Sequence, residues 1–540
     1  MIRACICRGF PDLDVADPSA RNAQPEATVD ELRSALRARD ECIDELRQQL
    51  AWFKRQLFGE TSERRTVVDP AHQSSLFASL GMDAQAPVDG APDAAPKTGK
   101  VRRKKSRQDT VTAEGLRFSS DVPVEVIELP VPELTGSDAA DYEIISTKST
   151  YRLAQRPGSY VVLEYRRPVI KHASTGKLKT TPAPANVLER SLADVSFLAG
   201  LAIDKCLYHL PLHRQHQRLT AAGLQLSRST LTLLLARTAE LLAPVARAQL
   251  DHVCSSRVLA MDETYMKAGR KGPGKMHQGY FWPLYGDADE VSFTFANTRG
   301  RTVVQDLLAG YEGILLTDGY KVYEQYAKAH AGITHAQCWA HARRKFEAAQ
   351  DAEPEAAAQA LAAIGALYKQ EEWIRKRKLE GPDKCAARQT DCAPIVEGFW
   401  AWCDEQCQRL DLTPKNPLSK ALKYAIDRRD ALEVFLREPD VAVDTNHLER
   451  ALRPIPMGRK NHLFCWTEVG AEHLAVLHSL LVTCRLQGVD AYTYLVDVLQ
   501  RVGEHPAREV ADLTPRRWRA LFADQPMRSD LDLAVPKPGV

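Results

Sequence analysis

The sequence predicts a multidomain α/β protein, built around a mixed sheet flanked by helices and interrupted by a long helical insertion. Ahead of that core it predicts a coiled coil, a small β-rich module and a helix-turn-helix. Three observations carry this. A chain of 540 residues exceeds what one hydrophobic core holds. After Arg257 short apolar runs alternate with stretches of helical period, the pattern of strands alternating with helices. Before Arg257 the pattern passes from a heptad repeat to β-rich runs and then to helices.

Composition bounds the partners. With 72 Lys+Arg against 70 Asp+Glu the formal charge is +2, so the chain is not a uniformly basic nucleic-acid coat, and DNA contacts must come from local patches. No run approaches the roughly 20 apolar residues of a membrane span, and the N-terminus lacks a charged region followed by an apolar one. A cytoplasmic protein with no membrane partner is expected. The 12 cysteines are scattered, which suits reduced thiols rather than a disulfide framework.

Residues 1–27 read as an irregular tail punctuated by Pro11, Pro18 and Pro25. Thr28 with Glu31 makes a capping box, and Val29, Leu32, Leu36, Ile43, Leu46, Leu50, Phe53 and Leu57 form a heptad seam broken only at Arg39. Residues 28–58 are therefore expected to pair as a coiled coil with another chain, making a homo-oligomer, with packing on the protein's own body as the alternative. Residues 66–110 are a linker of low apolar content containing the basic run Arg102, Arg103, Lys104, Lys105 and Arg107. In residues 111–190 the runs "EVIEL" and "SYVVLEYRRPVI" predict a β-rich module. Residues 191–245 are helical, with Gly223 ending one amphipathic stretch and Ser227 capping another that opens with Arg228, Ser229 and Thr230. A DNA-reading helix-turn-helix has this form, and so does an ordinary αα-hairpin; the residues leave both open.

Residues 250–350 and 440–502 are expected to form the core. "VLAMDETYM" reads as a strand carrying Asp262 near its end, "GYFWPLYGD" and "EVSFTFA" as the next two strands, and "GILLTDGY" as a strand ending at Asp318. Residues 351–439 read as the helical insertion. On a helix starting near Asp444, the residues Asn446, Glu449, Arg450 and Arg453 share one face, where the acid suits a metal and the two arginines suit DNA phosphate. Two strand-end aspartates joined by a helical carboxylate make a hard-oxygen cage for Mg²⁺ or Mn²⁺, and a pair of such ions suits in-line phosphoryl transfer. A lone strand-end aspartate, by contrast, often only caps a turn. Arg459 and Lys460 follow Gly458 in an expected loop, where exposed cations take phosphate. Glu263 should face away from Asp262 if the strand continues, and Asp306 lies inside a helix pattern, so both read as structural. Cys338 and His341 make no closed zinc site, while His341 and Arg344 either approach the acidic centre or pack. In the tail, residues 503–540, Trp518 and Leu521 suggest one short docking helix.

The stretches "AMDETYM", "LLTDGY", "QCWAHARRKF", "NHLERALRP", "GRKNHLF" and "LQGVDAYTYL" together resemble the DDE transposases of the insertion sequence sixty-six family, TnpC type. Upstream, "KRQLFGETSERR" and "HLPLHRQHQRLTAAGLQLSRSTL" extend the likeness over residues 46–502. The resemblance implies a ribonuclease-H-like core with Asp262, Asp318 and Glu449 as catalytic and metal-binding residues. It also implies binding of insertion-sequence ends and target DNA, strand transfer, and accessory proteins of the same element. Two departures stand out. The family's cysteine-rich zinc module has no counterpart, because residues 110–189 contain no cysteine, so no zinc is expected. The family's Asp-Asn-Asn is here Asp444, Thr445, Asn446. A catalytically silent DNA-binding regulator of the same fold, or a ribonuclease-H-like nuclease, are the alternatives.

Overall fold

The computed structural model describes residues 109–113, 115–120, 122–135, 139–156, 158–272, 274–462, 464–532 and 535–536. The tail, the coiled coil and the linker with its basic run, up to residue 108, lie outside the described residues.

Strands β1 (Asp109–Val111) and β2 (Arg117–Ser119) pair antiparallel. β3 (Val124–Glu128), β4 (Tyr142–Arg156), β5 (Ser159–His172) and β6 (Leu178–Thr180) form a second sheet, centred on the long antiparallel β4–β5 hairpin. Successive strand residues point to opposite faces. Accordingly Tyr160 and Val162 join the large helical core, while Val161, Leu163 and Tyr165 make a small core with Ala154 and Leu531. The module therefore has no core of its own: one face is shared with the helices, and the other is completed by Leu531 of the C-terminal segment.

Next come α1 (Val195–Cys206), α2 (Leu212–Ala221), β7 (Leu224–Gln225) and α3 (Arg228–Cys254). α1 is capped by Asp194, which accepts from Ser196 N at 2.8 Å, and it is buried on nearly every side, as suits a central helix. β7 pairs with β2, so the connection between α2 and α3 is tied to the first sheet. There Ser119 N donates to Gly223 O, and Gly223 has φ 87°. A Cβ on that residue would sit 2.3 Å from Ser119 Oγ. By length and composition α3 is long and apolar enough to cross a membrane, yet Leu231, Leu235, Leu242 and Val245 are buried inside the protein.

The core sheet comprises β8 (Val258–Met261), β9 (Thr264–Gly272), β10 (Lys275–Tyr285), β11 (Val291–Ala296), then α4 (Arg301–Leu307), β12 (Gly313–Thr317), α5 (Lys321–Ala329) and β13 (Ile333–Gln337). Its order is β11-β10-β8-β12-β13, with β10 antiparallel to β8 and β11, and β12 parallel to β8 and β13. β9 continues β8 along β10 in the same register after a break at residues 262–263. The sequence reading stopped short of this ribbon.

Helices α6 (Trp339–Glu347), α7 (Pro354–Lys376), α8 (Gly381–Ala387), α9 (Ala393–Cys407), α10 (Pro417–Ile426) and α11 (Arg429–Arg437) follow. They pack around Trp339, whose ring lies 5.4 Å from Phe399 and 5.9 Å from Trp400. Buried Arg388 is satisfied by Glu371 and by the carbonyls of Phe435 and Glu438. Then come α12 (Asn446–Leu452), α13 (Pro454–His462), α14 (Glu468–Leu486), α15 (Ala491–Arg501) and α16 (Pro515–Leu521). α13 corrects the expected loop: Gly458, Arg459 and Lys460 are helical, because buried Ile455 and the preceding turn anchor the segment and outweigh glycine's roughly 1 kcal/mol penalty. α14 covers the edge strand β11, with Val291 N and Phe293 N donating to Thr483 Oγ1 and Ser479 Oγ. In α16 Pro515 and Trp518 are buried, while Leu521 is exposed. β14 (Val535–Pro536) closes the chain against β3.

Candidate active site

Two aspartates meet at one sheet edge because of register. β8 and β12 are parallel neighbours in which Ile314 pairs with Val258, an offset of 56 residues that also separates Asp318 from Asp262. Each aspartate is the first residue beyond its strand, so the two stand side by side at the carboxyl edge, about one strand spacing apart (~4.8 Å). They also share a face. Val258, Ala260, Ile314 and Leu316 enter the helical core, and alternation puts Asp262 and Asp318 on that same side. Asp262 Oδ1 accepts from Glu263 N at 2.7 Å, and Asp318 Oδ1 accepts from Tyr320 N at 2.8 Å, which fixes both side chains.

Glu449 arrives from far along the chain. Trp339 N, at the start of α6, donates to Val443 O at 3.0 Å, and Thr445 donates through both its N and its Oγ1 to Cys338 Sγ. These bonds pin the start of α12 beside the end of β13. Thr445, the departure from the family pattern, is thus a buried anchor. One turn on, both carboxylate oxygens of Glu449 accept from Arg344 Nη2, at 2.9 and 2.8 Å. His341 Nε2 lies 3.8 Å from Glu449 Oε1 and 3.1 Å from Arg344 Nη1. His341 and Arg344 are one turn apart on α6, so both reach the same carboxylate.

The electrostatics follow from this crowding. Burial, together with the negative charges of Glu263, Asp318 and Glu449, pushes Asp262 from its ordinary 3.8 up to about 7. Burial holds His341 below its ordinary value, in the neutral form that accepts from Arg344. Glu263 faces the other side of the sheet, where its buried carboxylate binds Arg299 and Tyr323. It is a structural ion pair of this edge, and sequence reasoning missed its partners because they are distant in the chain.

The expected DNA-contacting residues lie elsewhere. Arg228 and Ser229 are exposed and Thr230 half-buried at the start of α3, capped by Ser227, whose Oγ accepts from Thr230 N at 3.0 Å. Arg450 and Arg453 are exposed, Arg453 at the C-cap of α12. Lys460 is exposed, while Arg459 stacks 3.9 Å over the Tyr265 ring. Asp306 lies on α4, and Cys403 is buried in the insertion.

Residues 190–473 match the Transposase IS66 family, residues 479–516 the IS66 C-terminal element, and residues 45–127 the Transposase C of IS166 homeodomain. Uncharacterized protein y4qI of Sinorhizobium fredii is 30% identical over 524 residues, covering 93% of this chain and 94% of the relative. Uncharacterized protein y4jD of the same organism is 28% identical over 495 residues, covering 88% of this chain and 95% of the relative. The homeodomain match falls upstream of the helix-turn-helix expected at residues 191–245. With matches to the transposase, its C-terminal element and its homeodomain in chain order, and the first spanning more than half the sequence, the chain belongs to the IS66 family of transposases.

Proposed function

We propose that this transposase cuts DNA at insertion-sequence ends and joins the freed strand to target DNA, with Asp262, Asp318 and Glu449 holding two divalent ions, Mg²⁺ or Mn²⁺. The observation that carries the reading is the parallel register that sets Asp262 beside Asp318, with Glu449 acting on the same centre. The strand order, three antiparallel strands followed by two parallel ones, supports a ribonuclease-H-like core.

The residues fit a metal. Burial, together with the charges of Glu263, Asp318 and Glu449, raises Asp262, and an all-oxygen donor set suits Mg²⁺ or Mn²⁺. When bound, such ions activate the attacking oxygen and stabilise the leaving one. The chain's own groups do the rest. The backbone N–H groups of Glu263 and Tyr320 orient the aspartates, and Arg344 holds Glu449 while keeping a cation at the edge where a phosphodiester would lie. The exposed start of α3, with Arg228, Ser229 and Thr230, and the homeodomain region supply the DNA contacts.

The test is donor cleavage and joining by Asp262→Asn, Asp318→Asn and Glu449→Gln in Mg²⁺. Each is expected to slow the reaction roughly 10³-fold or more while DNA binding stays near normal. A normal rate for Glu449→Gln refutes the triad. The Arg344–Glu449 pair favours one second reading, a silent DNA-binding regulator; the unaltered chain would then bind ends without cutting them.

A further inference from the structure

The ribbon formed by β9 and β10 leaves the carboxylate edge. β9 begins two residues after Asp262 and extends for nine residues, about 30 Å at roughly 3.3 Å each. That is close to one turn of duplex DNA, ~34 Å. From Thr264 to Gly286 the sequence contains no acid, but it has Lys267, Arg270, Lys271 and Lys275, all exposed.

A second acid-free stretch runs from Arg450 to Trp466 and carries Arg459 and Lys460 on α13. The fold joins the two. Cys465 N donates to Lys267 O at 2.8 Å, and Gly269 N donates to Cys465 O at 3.2 Å, so the segment after α13 adds to the free edge of β9. Arg459 Cζ lies 3.9 Å over the Tyr265 ring, and Arg270 Cζ 5.0 Å over Trp466. One acid, Glu468, packs against Gly269 of β9 and accepts from Asn297 at 2.8 Å. The ribbon and α13 thus lie side by side next to the carboxylate edge and carry these cations, with Lys267 on the Glu263 face of the sheet.

We propose that this ribbon and α13 form a sequence-independent cradle for duplex DNA, gripping the phosphates that flank the reacting bond. The proposal rests on reading the carboxylate edge as the DNA-cutting site. Duplex DNA fits better than an anionic membrane: a two-stranded ribbon matches a groove of the duplex, and its exposed residues are mostly cationic or polar, with Tyr265 the large exposed side chain on β9 and Met457 on α13. Lysines grip phosphate and read little sequence, and Gln278, the amide across from Lys267, donates to Tyr280 Oη at 2.8 Å.

The test uses the full chain without divalent metal and a random-sequence duplex, with affinity followed over a salt series. The variant Lys267→Gln/Lys271→Gln/Lys275→Gln is expected to bind roughly 10- to 100-fold more weakly near 0.1 M salt. Its slope of log affinity against log salt should fall by about 2–3, near 0.9 per lost phosphate contact. The control Lys369→Gln/Lys415→Gln/Lys420→Gln changes net charge equally on the helical insertion and is expected to keep the slope. An unchanged slope in the first variant, or an equal loss in both, overturns the proposal. So does a loss confined to phosphatidylserine vesicles. Failure of the catalytic reading would look different: Asp262→Asn would cut normally while the salt slopes still reported the ribbon.

Discussion

Asp262 ties the fold to pH. Its folded value of about 7 lies above its ordinary 3.8, so the folded chain binds this proton more tightly than the unfolded chain does. The penalty on folding is therefore absent below about pH 4, grows as pH rises, and is complete above about pH 7. In chelator near pH 8, Asp262→Asn is expected to melt roughly 2–4 °C above the unaltered protein, with the gap closing toward pH 4. Added Mg²⁺ should raise the melting temperature of the unaltered protein and leave that of the variant in place. If calorimetry finds the variant no more stable at pH 8, crowding at Asp262 is not a strain on the fold. Glu263, one residue on, shows why adjacency in sequence misleads. Alternation turns it to the opposite face, where it is a buried partner of Arg299 and Tyr323, so neutralising it disturbs packing rather than sparing the protein.

Among elements, the joint between α2 and α3 depends on one glycine. Gly223 needs a positive φ, and Ser119 leaves no room for a methyl group. Gly223→Ala is expected to cost about 1–3 kcal/mol, from the left-handed backbone and the clash together. Adding Ser119→Gly should return only the clash share. Urea unfolding that shows no loss for Gly223→Ala would mean the turn moves freely against β2. The β9–β10 ribbon was hard to read for a related reason. Gly269, Gly272, Pro273 and Gly274 punctuate it, and its lysines break the apolar alternation by which strands are recognised. Its pairing comes from β10 and from the segment around Cys465, two partners that no local window contains.

At the scale of the molecule, α3 joins the two proposed activities. Its first turn presents Arg228 to solvent, while further along Gln249 donates to Val291 O, Ser479 O and Thr483 Oγ1, locking the helix to β11 and α14. In the proposed reading, DNA bound at that end is tied through this helix to the core sheet. Assembly through the heptad pattern of residues 28–58, which lies outside the described residues, is a proposal from sequence. Deleting that segment is expected to lower the oligomeric order measured by light scattering, and an unchanged order would show that copies meet elsewhere.

Local chemistry was legible where it repeats. Apolar runs ending in Asp262 and Asp318, the Ser227 cap and the helical period of the insertion each sit within a few residues, and strands and helices follow from such short-range patterns. The family motifs likewise pointed to Glu449 from sequence. The approach of His341 and Arg344 to the acidic centre was one of the readings that the sequence left open, whereas the Cys338–Thr445 link that delivers Glu449, the shared core of the β-rich module and the helical course of Gly458 were not legible. Each is set by contacts between segments many residues apart, individually worth about 1 kcal/mol, which select one arrangement only when the whole chain closes around them.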